Sequence, residues 1–104
     1  MNDQQVELGN KNLSDEGVEL LMRNLENNKE IKSLDLRENN IGISGAKLIA
    51  NFLIKNDSLE LLDLRDNNIQ DQGLNYITLA LLQKQKVKII DFSNNNIIRY
   101  LIHK

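Results

Sequence analysis

Every 28 residues this chain returns to the same residue types. Gly17, Gly45 and Gly73 mark the step most clearly. Two apolar series keep it as well: Leu8, Leu36, Leu64, Phe92 and Leu13, Ile41, Ile69, Ile97. A fixed period of this size is the signature of stacked units, none of which can bury its apolar face without a neighbour. This constraint precedes any argument from local propensity. It predicts a solenoid, and a solenoid offers an extended surface suited to binding. The 104 residues divide into repeats at about 3–30, 31–58 and 59–86 with a partial repeat at 87–104, together one domain.

Three copies align in full, running from Ile31 to Ile41, from Leu59 to Ile69 and from Val87 to Ile97. They share the spelling L-x-x-L-x-L-x-x-N-x-L, and a degraded first copy runs from Val6 to Leu13. Leu34 and Leu36 alternate with Ser33, Asp35 and Arg37, the period-two pattern of a half-buried strand. The next segment has helical spacing. Its apolar stripe reads Val18, Leu21, Met22, Leu25, then Ala46, Ile49, Ala50, Leu53, then Leu74, Ile77, Thr78, Leu81. Asp15, Ser44 and Asp71 are expected just ahead of the helices, as caps for free backbone N–H groups.

The spelling resembles the leucine-rich repeat. The full helix and the glycine ahead of it resemble the ribonuclease-inhibitor-like subclass, with its 28-residue repeat. The resemblance covers nearly the whole chain. It implies an α/β fold, a short right-handed horseshoe arc. A parallel sheet of about four strands would line the concave side and three helices the convex side. It also implies that Asn39, Asn67 and Asn95 lie inside the turns and bond the backbone of neighbouring coils, with Lys11 replacing Asn in a terminal, water-facing first copy. The glycines are read as points of close approach between chain segments or as part of the helix entry turn. They form no phosphate loop, since no G-x-x-x-x-G-K-[ST] is present.

Composition narrows the function. The net charge of −2 gives no bulk pull toward nucleic acid or anionic membrane, and the aromatic content of 4% offers no stacking platform for single strands. Without Cys there is no disulfide framework, thiolate metal site or thiol nucleophile. No signal peptide and no apolar run of membrane-spanning length are visible, so a cytoplasmic protein is expected, with delivery into a host cell by a specialised secretion system left open. The sequons at Asn12 and Asn56 read as chance matches in an Asn-rich chain, and the heavy use of Asn, Lys and Ile as the bias of an AT-rich genome.

The outward strand positions fall into columns. One reads Gln5, Ser33, Leu61, Ile89; the next Glu7, Asp35, Asp63, Asp91; the third Gly9, Arg37, Arg65, Ser93. With strands about 4.8 Å apart the second column is a ladder of carboxylates, offset in part by the arginines. One reading is a protein-binding groove made of Glu7, Ser33, Asp35, Arg37, Leu61, Asp63, Arg65, Ile89 and Asp91, suited to a basic or amphipathic segment. The competing reading is that Leu-Asp-Leu is an ordinary spelling of such repeats. Leu61 and Ile89 are the stronger pointers, because exposed aliphatics in a row mark contact surfaces.

The C-terminal end is the second candidate. Tyr76, Leu79 and Leu82 give the third helix the most apolar outer surface, and the chain goes on through Ile98, Tyr100, Leu101 and Ile102. Three explanations compete: the tail folds over as a cap, the edge pairs with a second copy or another chain, or the chain is part of a longer array.

A protein–protein interaction scaffold on the concave face is therefore expected, with a protein partner of unknown identity. The alternatives are a structural module that homodimerises through its C-terminal edge and a small-GTPase regulator-like module, a role some long-repeat relatives have. Catalysis is not expected: His103 is the lone His, and no nucleophile sits beside a base in any known motif. No cofactor and no metal are expected.

Overall fold

The computed structural model describes residues 4–83 and 86–98. Strands and helices alternate: β1 (Gln5–Glu7), α1 (Ser14–Leu25), β2 (Ser33–Asp35), α2 (Ile43–Lys55), β3 (Leu61–Asp63), α3 (Gln70–Gln83) and β4 (Ile89–Asp91). The strands form one parallel sheet in the order β1-β2-β3-β4. Parallel pairing of neighbours needs a crossover of a dozen or more residues, and each helix supplies one. The register follows the 28-residue step without slippage: Val6, Leu34, Leu62 and Ile90 stand side by side. This is the four-strand, three-helix architecture that the resemblance implies.

The core lies between the sheet and the helices. Leu34, Leu36, Leu62 and Leu64 from the strand segments meet Val18, Ile49, Leu53 and Ile77 from the helices, all essentially buried. Full burial of one such side chain stabilises by about 1.5–3 kcal/mol, whereas an isolated helix of this length is marginal in water. Packing therefore holds the helices more than propensity does. The predicted stripe is complete in the central helix, where Ala46, Ile49, Ala50 and Leu53 are all buried. In α3 it is not: Ile77 is buried, but Leu74 and Leu81 are half-buried and Thr78 is exposed. The reason is geometric. α2 has a helix on either side and α3 packs against α2 alone among the described residues.

Buried asparagines tie the coils together. Asn67 Oδ1 accepts from the backbone N–H groups of Asn39 and Ile41 at 2.9 Å each. Its Nδ2 donates to the carbonyls of Leu36, Leu64 and Arg65. Asn39 does the same one coil earlier, accepting from Lys11 and Leu13 and donating to Leu8, Leu36 and Arg37. Asn95 accepts from Ile69 and donates to Leu64, Phe92 and Ser93. Among the described residues no buried side-chain N or O atom is left without a partner. A second pair of asparagines works at the helix exits: Asn28 Oδ1 accepts from Glu30 and Ile31, and Asn56 Oδ1 from Ser58 and Leu59.

Other asparagines serve the turns. Asn10, Asn12, Asn40, Asn94 and Asn96 all have a positive φ, a region that non-glycine residues rarely visit and that Asn tolerates best. Genome bias alone thus does not account for the Asn content; much of it sits where the turns need it. No described glycine has a positive φ. Gly73 is instead a point of contact, since a Cβ there would lie 2.7 Å from Ile69 Cγ2 and 3.0 Å from Ala46 Cβ.

The capping expectation is corrected by the structure. Asp15 and Asp71 lie within the first turns of α1 and α3, and their carboxylates reach the next coil. Asp15 Oδ1 accepts from the Gly42 N–H at 2.7 Å and Asp71 Oδ1 from the Ile98 N–H at 2.9 Å. Ser44 sits exposed inside α2, whose start has no side-chain cap. The equivalent of Asp15 in the second coil is Ile43, so there the Gln70 N–H turns to the Asn95 carbonyl instead. No described helix is long and apolar enough to cross a membrane.

Two substitutions test this account by urea denaturation. Asn67→Leu strands several buried backbone groups and should lower stability by more than about 4 kcal/mol. Gly73→Val should cost about 1–3 kcal/mol by forcing α3 away from α2. Leu20→Ala, at an exposed position, should change little.

Candidate functional site

The strand register brings the three outward columns onto one face. Ser33, Leu61 and Ile89 pair in sequence, as do Glu7, Asp35, Asp63 and Asp91. Leu61 is half-buried between its neighbours, and Ile89 is 59% exposed, far more than an inward strand residue such as Leu62. The two aliphatics therefore form a short apolar strip at the β3–β4 side of the face.

The carboxylate ladder is held by local hydrogen bonds before any long-range effect enters. Asp35 Oδ1 accepts from the Arg37 N–H, Asp63 Oδ1 from the Arg65 N–H and Asp91 Oδ1 from the Ser93 N–H, each two residues along. Each carboxylate thus fixes the backbone that leaves its own strand. The side chains then differ by coil. Arg65 clasps Asp63 with two nitrogens, the shortest contact being 2.8 Å from Nη2 to Oδ2. Arg37 stands at 3.5 Å from Asp35 and lies across Gly9, whose lack of a side chain leaves room for it. In the last coil a serine takes the arginine's place, and Ser93 Oγ donates to Asp91 Oδ1 at 2.6 Å.

The charges respond accordingly. Asp63 holds the Arg65 guanidinium above its ordinary range, chiefly by hydrogen bonding and then by charge, with Asp91 and Asp35 adding to it. The Asp91 carboxyl lies below its usual range because the Ser93 hydroxyl and N–H both bond its charged form, with Arg65 assisting. Beside the ladder lies a row that the column reading missed: Lys32, Glu60 and Lys88. Glu60 Oε2 stands 3.9 Å from Lys32 Nζ and 3.8 Å from Lys88 Nζ. The same 28-residue step links the three, and their alternating sign was the signal that could have found them.

Leu79, Leu82 and Ile98 are exposed. Tyr76 is half-buried against α2, where Lys47 Nζ sits 5.6 Å from its ring centroid. Its equivalents Leu20 and Leu48 explain this: the position packs toward the preceding coil, and only the first helix leaves it exposed. Tyr100, Leu101 and Ile102 lie outside the described residues, as does His103. Val87, Ile90 and Phe92 are half-buried where their counterparts in the two middle coils are buried. No group of three or more His, Cys, Asp or Glu among the described residues is placed to hold a metal ion.

A family model described as leucine-rich repeat matches residues 27–50 and 55–77. These spans hold two of the turns, with Asn39 and Asn67 at their centres. Those two spans of the chain are leucine-rich repeats. A solved structure of leiomodin-1 actin-binding site 2 is similar to it, with a TM-score of 0.83 and 27% sequence identity over 88% of this chain. The match takes in 54% of the leiomodin-1 chain, so this chain spans about half that chain's length. A search of curated proteins finds no match.

The pH dependence of the face follows from Asp91. Its folded pKa is depressed, so its contribution to stability is present above the ordinary carboxylate range and is lost as pH falls through the folded value. Half-exposure and salt keep the effect small. Ser93→Ala should remove the main cause of the shift. NMR titration of the Asp91 carboxyl should then show its midpoint moving up toward the ordinary carboxylate range.

Proposed function

We propose that this leucine-rich repeat protein is a non-catalytic protein–protein interaction scaffold that binds its partner on the strand face. The observation that carries the reading is the strip of Leu61 and Ile89, two aliphatics side by side on a sheet face whose other columns are charged. Exposed aliphatics of this kind, rimmed by polar groups, favour a protein surface as ligand. The surrounding Glu7, Ser33, Asp35, Arg37, Asp63, Arg65 and Asp91 would set orientation more than affinity. Four three-residue strands make a small face, which suits modest affinity or action beside other chains. The 28-residue step and the full helix in each complete repeat support the ribonuclease-inhibitor-like subclass, with 1–104 as one domain.

The similarity to leiomodin-1 actin-binding site 2 also favours a protein ligand and makes actin the first partner to try. Leu61→Glu/Ile89→Glu should leave the circular dichroism of the fold unchanged, because neither residue belongs to the buried core. It should abolish retention of the partner in affinity capture and, if actin is that partner, co-sedimentation with it. Retention of the same proteins by wild type and variant would overturn the strand-face reading.

A second reading, self-association through the C-terminal edge, is favoured by the exposure of Leu79, Leu82 and Ile98 and the half-burial of Val87, Ile90 and Phe92. Sedimentation equilibrium separates the two. A dimer that Leu79→Glu/Leu82→Glu dissociates is the result expected of self-association, and a monomer at all concentrations excludes it.

A further inference from the structure

The arginine column stops one coil before the aspartate column does. Asp35 and Asp63 each have an arginine two residues along, and their side chains are only 21% and 15% exposed. Asp91 has Ser93 there and is 44% exposed. Ser93 engages one oxygen, Oδ1, through both its hydroxyl and its N–H. The other oxygen, Oδ2, has Arg65 Nε at 3.8 Å, too far for a hydrogen bond, while Arg65 itself is clasped to Asp63. Lys88, the cation of the last coil among the described residues, stands at Glu60 instead. The place that an arginine fills in two coils is thus held in the last by a side chain too short to fill it. Ile89 lies two residues before Asp91 on the same face, about 6.7 Å along the strand.

We propose that a cationic side chain of the partner occupies this vacated arginine position, bonding Asp91 Oδ2 while an aliphatic side chain of the same segment rests on Leu61 and Ile89. The proposal rests on the strand-face reading and names the chemistry it would select. The partner segment carries Arg or Lys on the same face as Leu, Ile or Val, one strand pair or one helical turn apart. Charge complementarity picks this occupant. An acidic segment would face the open carboxylate, and a purely apolar one would leave it covered and unpaired.

The test uses a displayed library of random short peptides, selected on the wild-type chain and then measured against three variants. Ser93→Arg installs the residue that the two preceding coils already hold, so folding is not at risk, and thermal denaturation checks it. The expected result is a set of peptides that pair an aliphatic with Arg or Lys, are lost on Leu61→Glu/Ile89→Glu, and bind about tenfold more weakly to Ser93→Arg. Ser93→Ala, which leaves the carboxylate open, should keep their binding. Peptides that need Leu61 and Ile89 yet show no cation, or that bind Ser93→Arg unchanged, overturn the proposal and leave the strand-face reading standing. Peptides indifferent to Leu61→Glu/Ile89→Glu, or no selected peptides at all, overturn both.

Discussion

The structure depends on a buried amide. At the turn after each complete strand motif an asparagine side chain stands where an aliphatic would be cheaper to desolvate, and it is kept there by its hydrogen bonds. Asn67 alone joins backbone groups of two coils, from Leu36 to Arg65. A buried polar group is tolerable only when paired, and a turn that curls around one amide has no other way to satisfy its own N–H and C=O groups. The asparagine thus closes its own turn and sets the distance and rotation to the one before it. Because each amide reaches only the adjacent coil, the stack is built from nearest-neighbour contacts.

That dependence explains why the face is so regular. Once the turns are locked, strands pair without slippage and residues 28 apart fall side by side, so any property repeated in the sequence becomes a stripe in space. A stripe of carboxylates would repel itself, and three devices limit this: backbone N–H groups two residues along, arginines in the middle coils and a serine in the last. The parts of the face that differ from coil to coil are what distinguish this protein from a generic stack. They are the aliphatics at Leu61 and Ile89 and the break in the arginine column at Ser93.

Much of the architecture was legible before any coordinates. The strands at Ser33–Asp35 and Leu61–Asp63, the apolar stripe of α2 and the columns of the outer face all sit where the period puts them. Other features were not legible. Asp15 and Asp71 look like caps because they stand near helix starts, but their carboxylates bond N–H groups 27 residues on. Tyr76 looks like part of an outer apolar edge, but its position faces the preceding coil. In both cases residue type and spacing agree with two partners, and only the distance between coils chooses one.

The sequence by itself determined the repeat, the alternation of strand and helix and which residues share a column. These follow from a period, which is a one-dimensional property that stacking copies faithfully into space. The tertiary structure alone decided which groups in those columns are satisfied. Asp63 and Asp91 occupy identical places in the pattern, yet one is clasped by an arginine and the other has that arginine only at 3.8 Å from its outer oxygen. Likewise Leu62 and Ile90 are equivalent by count, but one is buried and the other half-buried. The physical reason is the same each time: burial and pairing depend on what stands on both sides of a coil, and the period is blind to the difference between the middle of a stack and its last described coil.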